Sequence, residues 1–186
     1  MDTIGLIEFP GSTYLYALAF VAAMFVGFSS IVVVIRQTIG VPLSRFQVLL
    51  ARTDIELGFL VVGLSLLPML LNLLSLPHSL ALRGSSAAAA LVLVLWLGFF
   101  AYRHRKATSA PLPRLAWLHL MLAVAVIIVL AVNASGYPSE PQVGLYALAL
   151  SYVLAEAVDT FLHSTNVMLR QSKDGPSRGE ATRQEA

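Results

Sequence analysis

"STYLYALAFVAAMFVGFSSIVVVI" runs from Ser12 to Ile35 as 24 residues without a single charge. At about 1.5 Å per helical residue it is long enough to cross the ~30 Å hydrocarbon core of a bilayer. Water does not reach the backbone there, so the segment has to pair its own N–H and C=O groups as an α-helix. The preceding "MDTIGLIEFPG" carries Asp2 and Glu8 where a secretory signal would be basic. The apolar run is also longer than a signal core of about 7–15 residues, so this first helix is expected to be retained.

The rest of the chain repeats the pattern. Of its 186 residues 58% are hydrophobic and 12% charged, where a soluble domain carries roughly 25% charge. Mean hydropathy is +0.79. Further spans are expected at about 44–75, 85–102, 114–134 and 142–170. In "SRFQ" Ser44 reads as the N-cap of the second span, with Gln47 at the third helical position closing a capping box. Pro68 lies inside that span, where it deletes one backbone hydrogen bond and is expected to bend the helix. Residues 171–186 are polar and rich in charge, which reads as a disordered cytosolic tail.

Basic residues set the expected orientation. With the N-terminus outside, Arg36, Arg45, Arg52, Arg103, Arg105, Lys106, Arg114, Arg170, Lys173, Arg178 and Arg183 fall inside, and of the 12 Lys and Arg only Arg83 falls outside. Adding or removing one span would break this alternation. The expected fold is therefore all-α: one domain over 1–170, a polytopic membrane protein built as a bundle of five transmembrane helices, N-out/C-in, in the plasma (inner) membrane. The net charge of +2 gives no reason to expect a nucleic-acid partner. The absence of cysteine excludes disulfides, thiolate metal sites and a Cys nucleophile.

One helix breaks the apolar monotony. In "SYVLAEAVDTFLHSTNVMLR", Tyr152, Glu156, Asp159, His163, Asn166 and Arg170 recur at spacings of four and three. At 100° per residue they fall within an arc of about 80°. A charge at mid-bilayer costs about 2.5–3.5 kcal/mol on the mildest scale, so the seam should face other helices or water. The second span brings Arg52, Asp54 and Glu56 to the same end, with Arg52 and Glu56 spaced to pair along their own helix. Asp54 points nearly the other way, on a stripe with Gly58, Ser65 and Asn72 that suits close helix packing. His119 on the fourth span lies at a comparable depth.

These residues form a polar layer with three readings. As glue, they pair across helices and lock the bundle, the protein being a non-catalytic membrane subunit or scaffold. As a pathway, carboxylates and His opening toward the cytosol make a proton relay or a cation-attracting vestibule in a transport or channel-like protein. As a metal site, Glu156, Asp159, His163 and His119 supply oxygen and imidazole donors, but no HExxH motif or Glu-x-x-His pair is present to support it. The pathway reading is the expectation, with the proton or a cation as permeant, no metal, no identified cofactor and no catalytic set. A nucleophilic elbow is also missing.

Small residues recur at every fourth position in two spans: Ala19, Ala23 and Gly27 in the first, and Ala147, Ser151 and Ala155 in the fifth. Such faces admit a close neighbour, from the same chain or from another subunit. Membrane lipid and a homo-oligomer or larger membrane complex are the expected partners. "NAS" at Asn133 matches a glycosylation sequon but sits at a helix end against the membrane, so it reads as coincidence.

Overall fold

The apolar runs fold as five helices, α1 (Ser12–Thr38), α2 (Arg45–Leu73), α3 (His78–Ala107), α4 (Arg114–Ser135) and α5 (Val143–Lys173). The computed structural model describes residues 11–38, 45–107, 114–137 and 142–173, with side chains at all of these except 45, 46, 107, 114–116 and 167–173. The N-cap reading of Ser44, the acidic segment before Gly11 and the tail from 174 onward lie outside the described residues, as does the Arg170 side chain. All five helices are long and apolar enough to cross a membrane.

α3 departs most from the sequence expectation. It begins at His78 rather than Ser85 and continues past Tyr102 to Ala107. Its first turn forms directly after Pro77, whose carbonyl accepts the Ala81 N–H at 2.9 Å. Arg83 and Gly84 are therefore helical. The Arg83 guanidinium lies against Gly136, which ends α4 in a left-handed conformation (φ 70°). A cation there complements the negative end of the α4 dipole, and a side chain at 136 would collide with it.

The end of α2 is a Schellman motif. Ser75 N–H donates to the Asn72 carbonyl at 3.0 Å and Leu76 N–H reaches back to Leu71 at 3.4 Å, with Ser75 at φ 64°. Glycine is the usual occupant of that left-handed position, because any Cβ there is crowded.

Pro68 sits inside α2 and is fully buried. It has no N–H for the carbonyl four residues earlier, that of Leu64. The hydroxyl of Tyr146, fully buried on α5, donates to this same carbonyl at 2.6 Å. The proline defect and the tyrosine thus compensate each other across the α2–α5 interface.

Around the bundle the order is α1, α2, α3, α4, α5, with α5 also packed on α2, so α2 and α5 form the inner pair. Leu57, Val61 and Leu64 of α2 meet Tyr146, Leu150 and Val153 of α5 in the core. α1 closes on α2 at Gly58, where an added Cβ would strike Val26. It reaches α5 through Phe161, which sits edge-on to Phe25 and Phe28 at 5.7 and 5.6 Å. Asn133 at the end of α4 is buried; it donates to Ser86 of α3 at 2.9 Å and accepts the Gln142 N–H at 2.7 Å, tying three elements together.

Large apolar side chains cover the outside, among them Phe20 and Met24 of α1, Phe59 of α2, Leu95 of α3, Met121 of α4 and Leu148 of α5. A soluble fold does not expose continuous apolar faces of this extent, and with the helix lengths they suggest a helical membrane bundle. Arg36, Arg52, Arg103, Arg105 and Lys106 gather at one end, called here the basic end, and Arg83 at the opposite end.

Two expectations follow for stability in detergent. Tyr146→Phe leaves the Leu64 carbonyl buried and unpaired and should cost about 1–3 kcal/mol. In a Pro68→Ala background, position 68 regains the N–H that serves Leu64, and the same substitution should cost clearly less; equal costs in both backgrounds would disprove the compensation. Separately, Ser75→Gly should stabilise by about 1 kcal/mol by relieving the left-handed strain, read as a raised unfolding midpoint.

Candidate functional site

The polar layer resolves into two clusters and an isolated carboxylate. The first cluster joins α2 to α3. Arg52 Nε donates to Glu56 Oε1 at 2.6 Å along its own helix. Arg103 then grips both oxygens of the same carboxylate, Nη1 on Oε1 at 2.9 Å and Nη2 on Oε2. This is the two-pronged geometry that guanidinium and carboxylate share. The Arg103 side chain is only 13% exposed, and its guanidinium also lies 4.3 Å from the Phe99 ring centroid, a favourable cation–π placement. Arg103 is absent from the layer drawn from sequence, where it counts only among the basic residues of the inner side. Its place just past the expected end of the third span gives no sign that it reaches Glu56.

The second cluster joins α5 to α4. Glu156 Oε1 lies 2.6 Å from Nδ1 of His119, and Tyr152 donates its hydroxyl to Glu156 Oε2 at 3.2 Å. The same hydroxyl stands 3.5 Å from the His119 carbonyl. On the other side of the imidazole, Nε2 is 3.8 Å from Asp159 Oδ2. His119 therefore stands between two carboxylates, one on each ring nitrogen. Side-chain exposure falls along the row, from 58% at Asp159 to 27% at His119 and 21% at Glu156. The spacing of four between Tyr152 and Glu156, and of three between Glu156 and Asp159, puts all three on the flank of α5 that α4 covers.

A cavity of about 30 Å³ adjoins this row. Tyr152 and Glu156 border it, but its wall is almost wholly apolar, with Leu57, Leu93, Val126 and Ile127 among the lining side chains. A cavity lined in this way offers water few partners and stays dry. Trp96 lines it too, and the Trp96 indole N–H is buried without a hydrogen-bond acceptor among the described residues.

Asp54 belongs to neither cluster. It is 1% exposed and accepts the Ile55 N–H at 2.8 Å, and it has no side-chain partner among the described residues. It lies one turn from Gly58, on the face of α2 that packs against α1, and Ser65 is buried farther along the same stripe. His163 is exposed and makes no hydrogen bond or ion pair among the described residues, so it is not part of the His119 row. The metal set considered from sequence does not assemble: among the described residues no three His, Cys, Asp or Glu side chains are placed to hold an ion.

Neither small-residue face packs within the chain along its whole length. Ala19 is buried, but Ala23 and Gly27 face outward with no other helix against Gly27. α1 packs instead through Leu15, Leu18, Ala22, Val26 and Ser29. On α5, Ala147 is buried, Ser151 is half-buried with its hydroxyl 2.7 Å from the Tyr14 hydroxyl, and Ala155 is exposed.

No family model, curated protein or solved structure matches this chain. What the site can do must therefore be argued from its own chemistry. The Glu56 cluster is saturated: two guanidiniums occupy one carboxylate, leaving no acceptor for a moving proton. The His119 cluster is different. Imidazole exchanges protons at both nitrogens near neutral pH, and here each nitrogen has a carboxylate beside it.

The Glu56 cluster should behave as a lock. Arg103→Ala leaves a half-buried carboxylate facing Arg52 alone, and should lower the thermal midpoint by an amount equivalent to about 2–4 kcal/mol. Arg103→Lys should recover only part of this, because an ammonium cannot take both oxygens in plane. Full rescue by lysine would show that charge alone, and not the two-pronged fit, holds α3 to α2.

Proposed function

We propose that this chain is an integral membrane transport or channel-like protein, N-terminus outside and C-terminus in the cytosol, that moves protons through the Asp159–His119–Glu156–Tyr152 row. The supporting observation is the imidazole with a carboxylate on each ring nitrogen, graded from exposed to buried. A proton arriving at Asp159 from the cytosolic side passes to His119 Nε2 through a water bridging the 3.8 Å between them. Loss of the Nδ1 proton to Glu156 completes the transfer, and Tyr152 links that carboxylate to the cavity beside Trp96.

The orientation rests on the segregation of basic residues to one end, the bias that sets membrane topology. The exposed apolar side chains are what a lipid-facing surface requires. Past the cavity toward the opposite end, the described wall is apolar, and Asn133 and Ser86 already bond each other. The row therefore serves as an inner half-channel, closed on its outer side by a dry gate of the kind that opens by wetting.

A second reading has its own support. The Glu56 cluster and the Tyr146–Leu64 bond are structural devices, and the His119 row also joins two helices. In that reading the protein is a scaffold or non-catalytic subunit, and the row is a third lock.

Proton flux into liposomes separates the two. The purified protein should acidify or alkalinise the lumen down an imposed gradient. Glu156→Gln should cut the rate roughly 10²-fold or more, the scale on which a positioned proton-transfer group acts, with thermal stability nearly unchanged. No flux from the parent protein, together with a marked loss of stability in Glu156→Gln, would establish the lock and overturn the pathway.

A further inference from the structure

On the far side of α5 from the cavity, an open groove of about 460 Å³ runs between α1 and α5. Leu18 of α1 with Leu154, Ala155, Val158 and Leu162 of α5 make its apolar wall. One end is closed by Tyr14 and Ser151, whose hydroxyls meet at 2.7 Å, and Ser151 in turn donates to the Ala147 carbonyl at 2.7 Å. Toward the other end stands the Asp159 carboxylate, 58% exposed, with Leu162 about one turn beyond it. The nine residues from Ser151 to Asp159 give a wall about 12 Å long.

An exposed carboxylate beside an apolar groove gives that groove one charged position, at the interfacial end where the His119 row opens. Among the described residues its one ionic neighbour is His119, at 3.8 Å and on the opposite side from the groove. α1 offers the groove only Tyr14 and Leu18, so among the described residues no cation lines it. The volume lies within the usual range for small-molecule sites, which pair an apolar surface with a few placed polar groups. The polarity is also ordered: the carboxylate lies toward the basic end and the apolar wall runs away from it into the span. An amphiphile resting in the inner leaflet already has this orientation, head at the interface and tail inward. Charge decides which amphiphile: Asp159 repels an anionic lipid head and attracts an ammonium.

We infer that the α1–α5 groove binds a single-chain amphiphilic cation, its ammonium on Asp159 and its alkyl chain along Leu154, Ala155 and Val158. The inference rests on the reading of the chain as membrane-spanning, and holds whether or not the His119 row conducts protons. Binding requires no flux, so failure of one leaves the other standing.

The test uses the full chain in nanodiscs of zwitterionic lipid, titrated with dodecylamine, which is protonated at neutral pH, with empty nanodiscs as the blank. Calorimetry should show a saturable site above the partition background. Dodecanol, with the same tail and no charge, and dodecyl sulfate should show partition alone. Asp159→Asn should weaken binding about tenfold or more, the scale of a hydrogen bond to a charged group. Ala155→Trp, which keeps the carboxylate and fills the groove, should abolish saturable binding. Far-ultraviolet circular dichroism and elution volume establish that each variant is folded. Titrations that match empty nanodiscs would overturn the proposal, as would saturable binding insensitive to both substitutions. A dimer in the parent protein that Ala155→Trp dissociates, with no dodecylamine site, would assign the groove to a second copy and equally overturn it.

Discussion

The hydroxyl of Tyr146 on the carbonyl of Leu64 is the contact from which the rest of this bundle takes its register. Pro68 makes that carbonyl an orphan, and in a dry core an orphan acceptor is costly enough to dictate what sits beside it. Satisfying it fixes the rotation of α5 about its own axis. With Tyr146 turned to α2, a step of 100° per residue places Glu156 about 80° to one side and Ala155 on the opposite face. One flank of α5 therefore meets α4 and His119, and the other opens into the groove with α1. The positions of the His119 row and the groove both follow from one tyrosine seated on a proline defect.

The three carboxylates within or beside the core are accommodated by different means, and the difference explains their chemistry. Glu56 is held by two arginines, one of them two-pronged, so its charge is overcompensated and its geometry fixed. Such a group stabilises only while every partner is present, because breaking a buried pair exposes the full desolvation cost of what remains. Glu156 is held by an imidazole and a phenol, both of which can give up or rotate a proton. Among the described residues Asp54 has only a backbone N–H. A fixed guanidinium makes a lock, whereas an exchangeable imidazole supplies what the proposed passage needs, and the two stand on different helix pairs.

The periodicity of a single helix was legible in the sequence, and the identity of its neighbour was not. The seam Tyr152–Glu156–Asp159 follows from spacing alone, because a 3.6-residue repeat fixes which residues share a face. His119 could be set at the right depth by counting from the helix end. Arg103 could not be paired with Glu56, since nothing in "YRHRK" distinguishes a residue reaching into the bundle from one reaching into headgroups. The early start of α3 was hidden for a related reason: Arg83 and Gly84 read as a loop until Gly136 of α4 supplies the place where the guanidinium lies. The stripe Ala19–Ala23–Gly27 shows the limit most sharply. Small size marks where a helix can approach, but α1 buries Ala22 and Val26 and turns Ala23 and Gly27 outward, so only the partner's shape decides which face is used.

Asp159 belongs to two sites at once, and that sharing has a consequence. It stands at the exposed end of the His119 row and at the mouth of the α1–α5 groove. A carboxylate can answer an imidazolium on one side or an ammonium on the other, but its single charge does not fully compensate both. In the proposed scheme a cation seated in the groove therefore weakens the attraction that draws a proton to His119, and a proton on His119 weakens the hold on the cation. By linkage the two effects must be equal in free energy. Competition for one charge needs no moving lid and no second conformation. It requires only that α5 carry the residue between two flanks, and the rotation set by Tyr146 places it there.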